Sequence, residues 1–489
     1  GERWSGSPAR CVGRAGEDWP AAPPLLGTAG RGTKAWFALG LGALSLLPLI
    51  AAVPSLAMLN ALGLLHNAYS AGRSMLVYSP LIAVLFIATY ALLVVIAVRS
   101  VSWLIKPGWH ADTGGTAVAL WFSESMLTQA RGVLFPLYSS VFTRSWLRLL
   151  GIEVGRRTEV STAVGLNPLV RLGDTSFVAD DVVFCGTRAR GGRLEVAPIS
   201  VGDRSFLGNG AILQGNTVLG DDCLVGVLSS PPLVSLNGTS WLGHPALELP
   251  RVPDRADPAR TIQPPGRLVL ARGAMEIVRI VVPAAISIVL GGAMFLSLES
   301  IGGHGGIGWL VVAAPLVLAA ASLGAVGLTI AGKWLLMGRY KSGEHPLWSF
   351  FVWRDELVNT LQEHLAGAWL LTTALGTPLL PAYLRAMGSR VGAGVWFETL
   401  AVTEFDLVDL GDGCAINRGA CIETHLFHDR LLRMGPARIG SQATLGPDSA
   451  VLPNTVLGSG CTVGARSVVL RGERLPPDTR WHGAPVQSA

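Results

Sequence analysis

The chain has 489 residues, half of them hydrophobic and 15% charged, so it is long enough for several domains and too apolar to be soluble throughout. Its net charge of +5 is small, and the basic residues gather beside apolar stretches rather than in an aromatic-lined groove, which argues against nucleic acid as a partner. Six cysteines without CxxC spacing read as small core residues of a reducing compartment, neither disulfides nor zinc ligands.

Residues 1–12 contain RWSGSPA, a phrase that returns as SWLGHPA at 240–246 and as RWHGAPV at 480–486, each time closing a block. The first copy has no block before it. The expectation is therefore that residues 1–12 are the end of a first β-helix truncated from a longer polypeptide. A Gly-, Pro- and Ala-rich linker follows at 13–32. Residues 33–99 hold two nearly uncharged stretches, 35–65 and 75–98, each long enough to cross a bilayer at roughly 20 residues per helix. Residues 100–153 mix aromatics, leucines and scattered charges and read as juxtamembrane helices.

From 154 to 246 the pattern changes period. Leu172, Val178 and Phe184, then Val201, Leu207, Leu213, Leu219 and Val225, recur every six residues. This suits neither an amphipathic helix nor an alternating strand, but it suits a parallel β-helix in which three hexads make one triangular coil. A Pro-rich linker occupies 247–274, and a second apolar pair (280–298 and 307–331) lies in 275–332. Juxtamembrane or coil-docking helices follow at 333–389. Residues 390–487 repeat the hexads at Leu410, Ile416 and Ile422, then Ile439, Leu445, Val451, Leu457, Val463 and Val469.

The two blocks are copies. LVRLGD at 169–174 matches LVDLGD at 407–412, a displacement of 238 residues that NTVLG at 216–220 and 454–458 shares. Upstream, KPGWH at 106–110 answers KSGEH at 341–345. The loop within the first apolar pair carries only Arg73, and that within the second carries no Lys or Arg. Arg31, Lys34, Arg99, Lys106, Arg272, Arg279, Lys333, Arg339 and Lys341 flank the pairs and read as topology and lipid-headgroup contacts. The positive-inside bias then places both β-helices in the cytoplasm, below a plasma (inner) membrane.

ETHLFHDRLLRMG at 423–435, RIGSQATLGPDSAVLPNTVLG at 438–458 and RGERLPPDTRWHGAPV at 471–486 resemble the terminal region of non-ribosomal peptide synthetases of the ε-poly-lysine-synthetase type. The resemblance implies tandem left-handed parallel β-helices alternating with transmembrane helical pairs. It also implies acyltransferase-like domains that form amide bonds between a carrier-bound aminoacyl thioester and an amino-acid acceptor, giving a short homopolymer. The partners it implies are upstream adenylation and thiolation domains, the thiolation domain contributing a phosphopantetheine arm. The six-residue rhythm fails between Ile422 and Ile439, so this segment leaves the coil as a loop, and His425 at its start is the candidate base. Around it, Glu423 is a candidate to bind a cationic acceptor or tune the base, His428 and Asp429 to orient the base or hold the amine, and Arg430 to pair with a phosphate or with Asp429.

No metal is expected, because a zinc barrel would have to be built from His425, His428 and His482 alone. At the 238-residue displacement His425 corresponds to Thr187, and 154–237 contains no His, so the earlier β-helix keeps the scaffold without the base. Such a barrel still has a use as one wall of an intramolecular pseudo-trimer. An acyl-CoA-dependent O- or N-acyltransferase of the cell envelope, and a non-catalytic scaffold or export module, are the alternative readings.

Overall fold

The computed structural model describes residues 2–5, 9–14, 30–251 and 257–488. Most of the 13–32 linker lies outside the described residues, as do three positions of the first closing phrase. The rest of that phrase forms a hairpin, Glu2–Ser5 with Arg10–Arg14. The later closing phrases do the same, Thr239–Leu242 with Leu247–Pro250 and Arg480–His482 with Gln487–Ser488. All three copies are thus one local structure.

Helices α1 (Arg31–Ala61), α2 (Ala68–Val77) and α3 (Ser79–Ser102) come first. Contacts divide the chain into two units, one of residues 1–52 and 87–255, the other of 53–86 and 256–489. In the first unit α4 (Gly115–Val133) and α5 (Thr143–Leu149) lead into the first coil. In the second, α6 (Pro258–Thr261) precedes α7 (Gly266–Leu336), followed by α8 (Phe350–Leu361), a π-helix (Gln362–Leu371), α9 (Leu379–Met387) and the second coil.

The hexad residues stack as their period demands. In the first coil Leu172, Val201 and Leu219 share one ladder, and Val178, Leu207 and Val225 another. In the second, Leu410, Ile439, Leu457 and Leu475 align on one face, Ile416, Leu445 and Val463 on the next, and Ile422, Val451 and Val469 on the third. These side chains are buried almost completely, and their burial drives the coil.

α1, α3 and the segment Pro258–Leu336 are long and apolar enough to cross a membrane. Within the last of these, α7 is itself two helices. Gly306 breaks it with φ 70° and ψ −171°, a backbone state open to glycine and costly for other residues. The halves then fold back on one another, since a side chain at Gly324 would touch Leu290 and one at Gly302 would touch Leu310.

The flanking cations of this pair depart from the expected role. Arg272, Arg279 and Lys333 do not reach for headgroups; they are buried inside the second unit. Arg272 Nε lies 3.2 Å and Arg279 Nη2 2.7 Å from the Glu276 carboxylate, and Arg279 Nη1 is 3.5 Å from Glu356 on α8. Lys333 Nζ donates to Asp406 of the coil at 2.7 Å. A charge flanking an apolar helix is drawn to a carboxylate whenever one is packed against it, because desolvation without a partner costs several kcal/mol per ion.

Candidate active site

The segment that leaves the second coil is a hairpin rather than an irregular loop. His425–His428 pairs antiparallel with Leu431–Met434, which pairs in turn with Gly343–Pro346, the strand containing most of the KSGEH motif. Asp429 and Arg430 make its two-residue turn, both with positive φ (45° and 67°), as a tight hairpin of right-handed twist requires. The duplicate KPGWH motif has the same job: Gly108–Ala111 pairs with Arg193–Val196, which pairs with Thr187–Arg190.

His425 stands at the base of the hairpin with 14% of its side chain exposed, and its Nδ1 faces Glu404, which is wholly buried. The two carboxylate oxygens lie 2.9 and 3.0 Å from Nδ1. Hydroxyls of Thr424 and Thr403 donate to the same carboxylate at 2.5 and 2.8 Å. Glu404 has a left-handed backbone (φ 36°), a strain of about 1–2 kcal/mol for a non-glycine residue, here spent on aiming a carboxylate. Behind it, buried Asp355 of α8 accepts from Tyr340 Oη at 2.7 Å. Gln362, the first residue of the π-helix, clamps the strand before Glu404 by donating to the carbonyls of Leu400 and Val402.

The charges are set by this packing. Burial opposes a charged imidazole, but the charge and hydrogen bond of Glu404, with contributions from Glu423 and Asp355, raise the His425 pKa to about 10. Burial likewise opposes the Glu404 carboxylate, and His425 and the two threonines overcome it, holding the group below its usual range. Asp355, buried and facing the Glu404 charge, is pushed well above its usual value. The resting arrangement is a buried imidazolium–carboxylate pair with a second buried acid, Asp355, behind it. With Nδ1 committed to Glu404, Nε2 is the nitrogen left for chemistry, and it makes no hydrogen bond among the described residues.

The remaining predicted residues are placed differently. Glu423, half-buried, contributes its charge to His425 and accepts from the Cys421 thiol at 3.2 Å. His428 is three residues along the strand from His425 and so projects from the opposite face. Asp429 is at the far turn, on the order of 10 Å of strand away. Neither orients the base; Glu404 does. Arg430 is buried, and its Nη1 donates to the Thr261 carbonyl at 3.2 Å.

In the first unit the whole polar cluster is gone. At the 238-residue displacement Glu404 becomes Leu166, Thr403 becomes Gly165, Thr424 becomes Gly186 and His425 becomes Thr187. α4 begins 235 residues before α8, and at that displacement Asp355 becomes Leu120 and Tyr340 becomes Ile105. Ile105 and Leu120 pack in one apolar cluster with Val196. The positive φ passes from a strained glutamate to the neighbouring glycine, Gly165 (φ 74°).

Stacked parallel hexads interrupted by one outer hairpin define a hexapeptide-repeat β-helix, and a His–Glu pair at the base of that hairpin gives it a candidate active centre. Over 391 residues, 78% of its length, the chain is 34% identical to delta-poly-L-ornithine synthetase of Acinetobacter baumannii (strain AB307-0294), and the resemblance to the ε-poly-lysine-synthetase type stands on that relative. The chain spans 29% of the relative's length. Among solved structures it is similar to a hexapeptide-repeat acetyltransferase from Vibrio cholerae (18% identity, 25% of this chain and 88% of that one, TM-score 0.19). It is also similar to the serine acetyltransferase of Neisseria gonorrhoeae with serine bound (17% identity, 45% and 75%, TM-score 0.21). No family model matches the chain.

Proposed function

We propose that the chain is the terminal membrane region of a non-ribosomal peptide synthetase. In this reading its second coil forms amide bonds between a carrier-bound aminoacyl thioester and an amino-acid acceptor, making a short homopolymer. The observation that carries the reading is the buried Glu404–His425 pair on an otherwise duplicated scaffold; the relative's own activity agrees with it. The thioester is delivered on the phosphopantetheine arm of a thiolation domain loaded by an adenylation domain, and nothing else is asked of that arm.

The acceptor arrives as an ammonium and must lose a proton to attack. His425, in its neutral form, takes that proton on Nε2 while Nδ1–H donates to Glu404, whose charge stabilises the imidazolium as it forms. The amine nitrogen adds to the thioester carbonyl, the nitrogen of the tetrahedral intermediate loses its second proton to water, and collapse of the intermediate breaks the C–S bond. The imidazolium returns the proton to the departing sulfur. Glu423, at the mouth of the hairpin, is suited to a cationic acceptor.

α1, α3 and the two halves of α7 cross the plasma membrane in this reading. Arg31, Lys34, Arg99, Lys106, Arg339 and Lys341 mark the cytoplasmic ends, with both left-handed β-helices on that side. In the reconstituted synthetase His425→Ala is expected to cut elongation by about 10²–10⁴-fold while carrier loading proceeds, so aminoacyl carrier accumulates without polymer. Normal elongation by this variant, or loss of loading with elongation, overturns the assignment.

A further inference from the structure

In the first unit a groove of about 640 Å3 lies between α5 and the start of the coil, lined by Arg144 and Arg148 of α5 and by Arg156 and Arg171. Three carboxylates share its wall, and each is engaged. Glu153 pairs with Arg171 at 2.5 Å, Asp174 accepts from the Arg156 amide at 2.6 Å, and Asp203 accepts from the Asp174 amide at 2.7 Å. Arg144 Nε donates to the Gly155 carbonyl at 2.6 Å. Arg148 and Arg156 are exposed, and their guanidiniums have neither ion pair nor hydrogen bond among the described residues. These cations oppose one another: burial and the Arg148 charge lower the Arg144 pKa, Arg156 adds to this, and Asp174 counters it. An anion from outside would relieve the repulsion.

The cluster is particular to this copy. With WLRLLG set on YLRAMG, a displacement of 237, Arg144 becomes Pro381 and Arg156 becomes Ala393; at 238, Arg171 becomes Asp409. Arg148 has a counterpart in Arg385, but that guanidinium donates to the carbonyls of Val391 and Gly392. In the first unit Arg144 takes the equivalent Gly155 carbonyl, and Arg148 is released.

The groove also lies where α3 ends. A Cβ on Gly151, which lines it, would be 2.6 Å from Nη1 of Arg99 in the last turn of α3. Trp103, one residue past that helix, and Leu149, next to Arg148, are exposed apolar side chains. We propose that the groove binds the phosphate of an anionic membrane lipid, with Arg148 and Arg156 on the phosphate and Arg144 behind them. A zwitterionic headgroup would bring a further cation into a cluster that already repels itself. A soluble phosphate would leave Trp103 and Leu149 in water, whereas a lipid covers them at the depth where tryptophan gathers in membranes. The site rests on the membrane reading of α3 given above and asks nothing of His425.

The full chain in detergent is titrated with phosphatidylglycerol or phosphatidylcholine, and bound lipid is counted by native mass spectrometry. Phosphatidylglycerol should bind the more tightly. Arg148→Gln with Arg156→Gln should weaken it about thirtyfold, at roughly fivefold for each guanidinium beside a headgroup. Arg438→Gln with Arg474→Gln, which removes two exposed charges from the second coil, should change nothing. Excess glycerol phosphate should not displace the lipid; displacement would give the groove to a soluble phosphate and overturn the lipid assignment. Alkaline carbonate extraction of membranes carrying the full chain tests α3 separately, and release of the chain overturns the membrane reading and this site with it. If the chain is retained, undiminished binding by the Arg148/Arg156 variant overturns the site alone, and so does equal binding of the two lipids by the wild-type chain, whether or not the variant folds.

Discussion

Thr187 and His425 hold one register on the two hairpins: Thr187 is paired with Val196 as His425 is paired with Met434. The backbone that presents the base is therefore present in both copies, and the difference lies in what stands behind it. Introducing Thr187→His into a His425→Ala background should restore no amide formation. Leu166 supplies no carboxylate to Nδ1, and Ile105 and Leu120 offer no polar group in place of Tyr340 and Asp355. Product formation above the His425→Ala background would show that the imidazole suffices by itself.

With its pKa near 10, His425 is neutral in about one molecule per thousand at pH 7, so the rate should climb roughly tenfold per pH unit and level off only near pH 10. Glu404→Gln removes the charge that raises the pKa and should move that plateau down toward the ordinary imidazole value of about 6.5. Comparing the two profiles with one acceptor cancels the acceptor's own titration. Superimposable pH–rate profiles would sink the idea that Glu404 sets the proton affinity of His425.

The same pair links folding to pH. Because the folded-state pKa of His425 is raised, its contribution to stability is complete below the unfolded value of about 6.5 and is lost as pH rises through about 10. Melting temperature should fall across that window, and Glu404→Gln should flatten the fall. A flat wild-type curve from pH 6.5 to 10 would contradict the ion pair.

Lys333 is buried against Asp406, which also accepts from the Tyr340 backbone amide at 3.0 Å. Lys333→Met should destabilise the second unit by about 3–5 kcal/mol by leaving that carboxylate unpaired, whereas Lys333→Met with Asp406→Leu should recover most of the loss. Thermal melts of the two variants in detergent provide the check.

Much of this was legible in the sequence. A six-residue period has one structural solution, so the ladder of Leu410, Ile439, Leu457 and Leu475 follows from spacing alone. The break at Gly306 falls between two apolar runs, where the reading places it. Glu404 was not legible: it lies in the aperiodic VTEFD, 21 residues before its histidine, and nothing local distinguishes it from a surface carboxylate. Arg272, Arg279 and Lys333 looked like headgroup ligands because a sequence does not show which helix covers them. Arg430 looked available for a phosphate because its partner, the Thr261 carbonyl, is 169 residues away.

From Ile439 through Leu457 to Leu475 the ladder residues of the second coil are 18 apart, whereas the hairpin makes the step from Leu410 to Ile439 29; the first coil has the same step between Leu172 and Val201. The two hairpin steps thus agree in length although their residues differ in chemistry. Between Leu166 and Thr187 in one copy and Glu404 and His425 in the other, the spacing is the same 21 residues, and a few side-chain exchanges add the charged pair without changing that length. In a duplicated chain of this kind, the fold of a copy and the side chains at its hairpin base are inherited independently, so one copy can lose a polar pair that its sibling keeps.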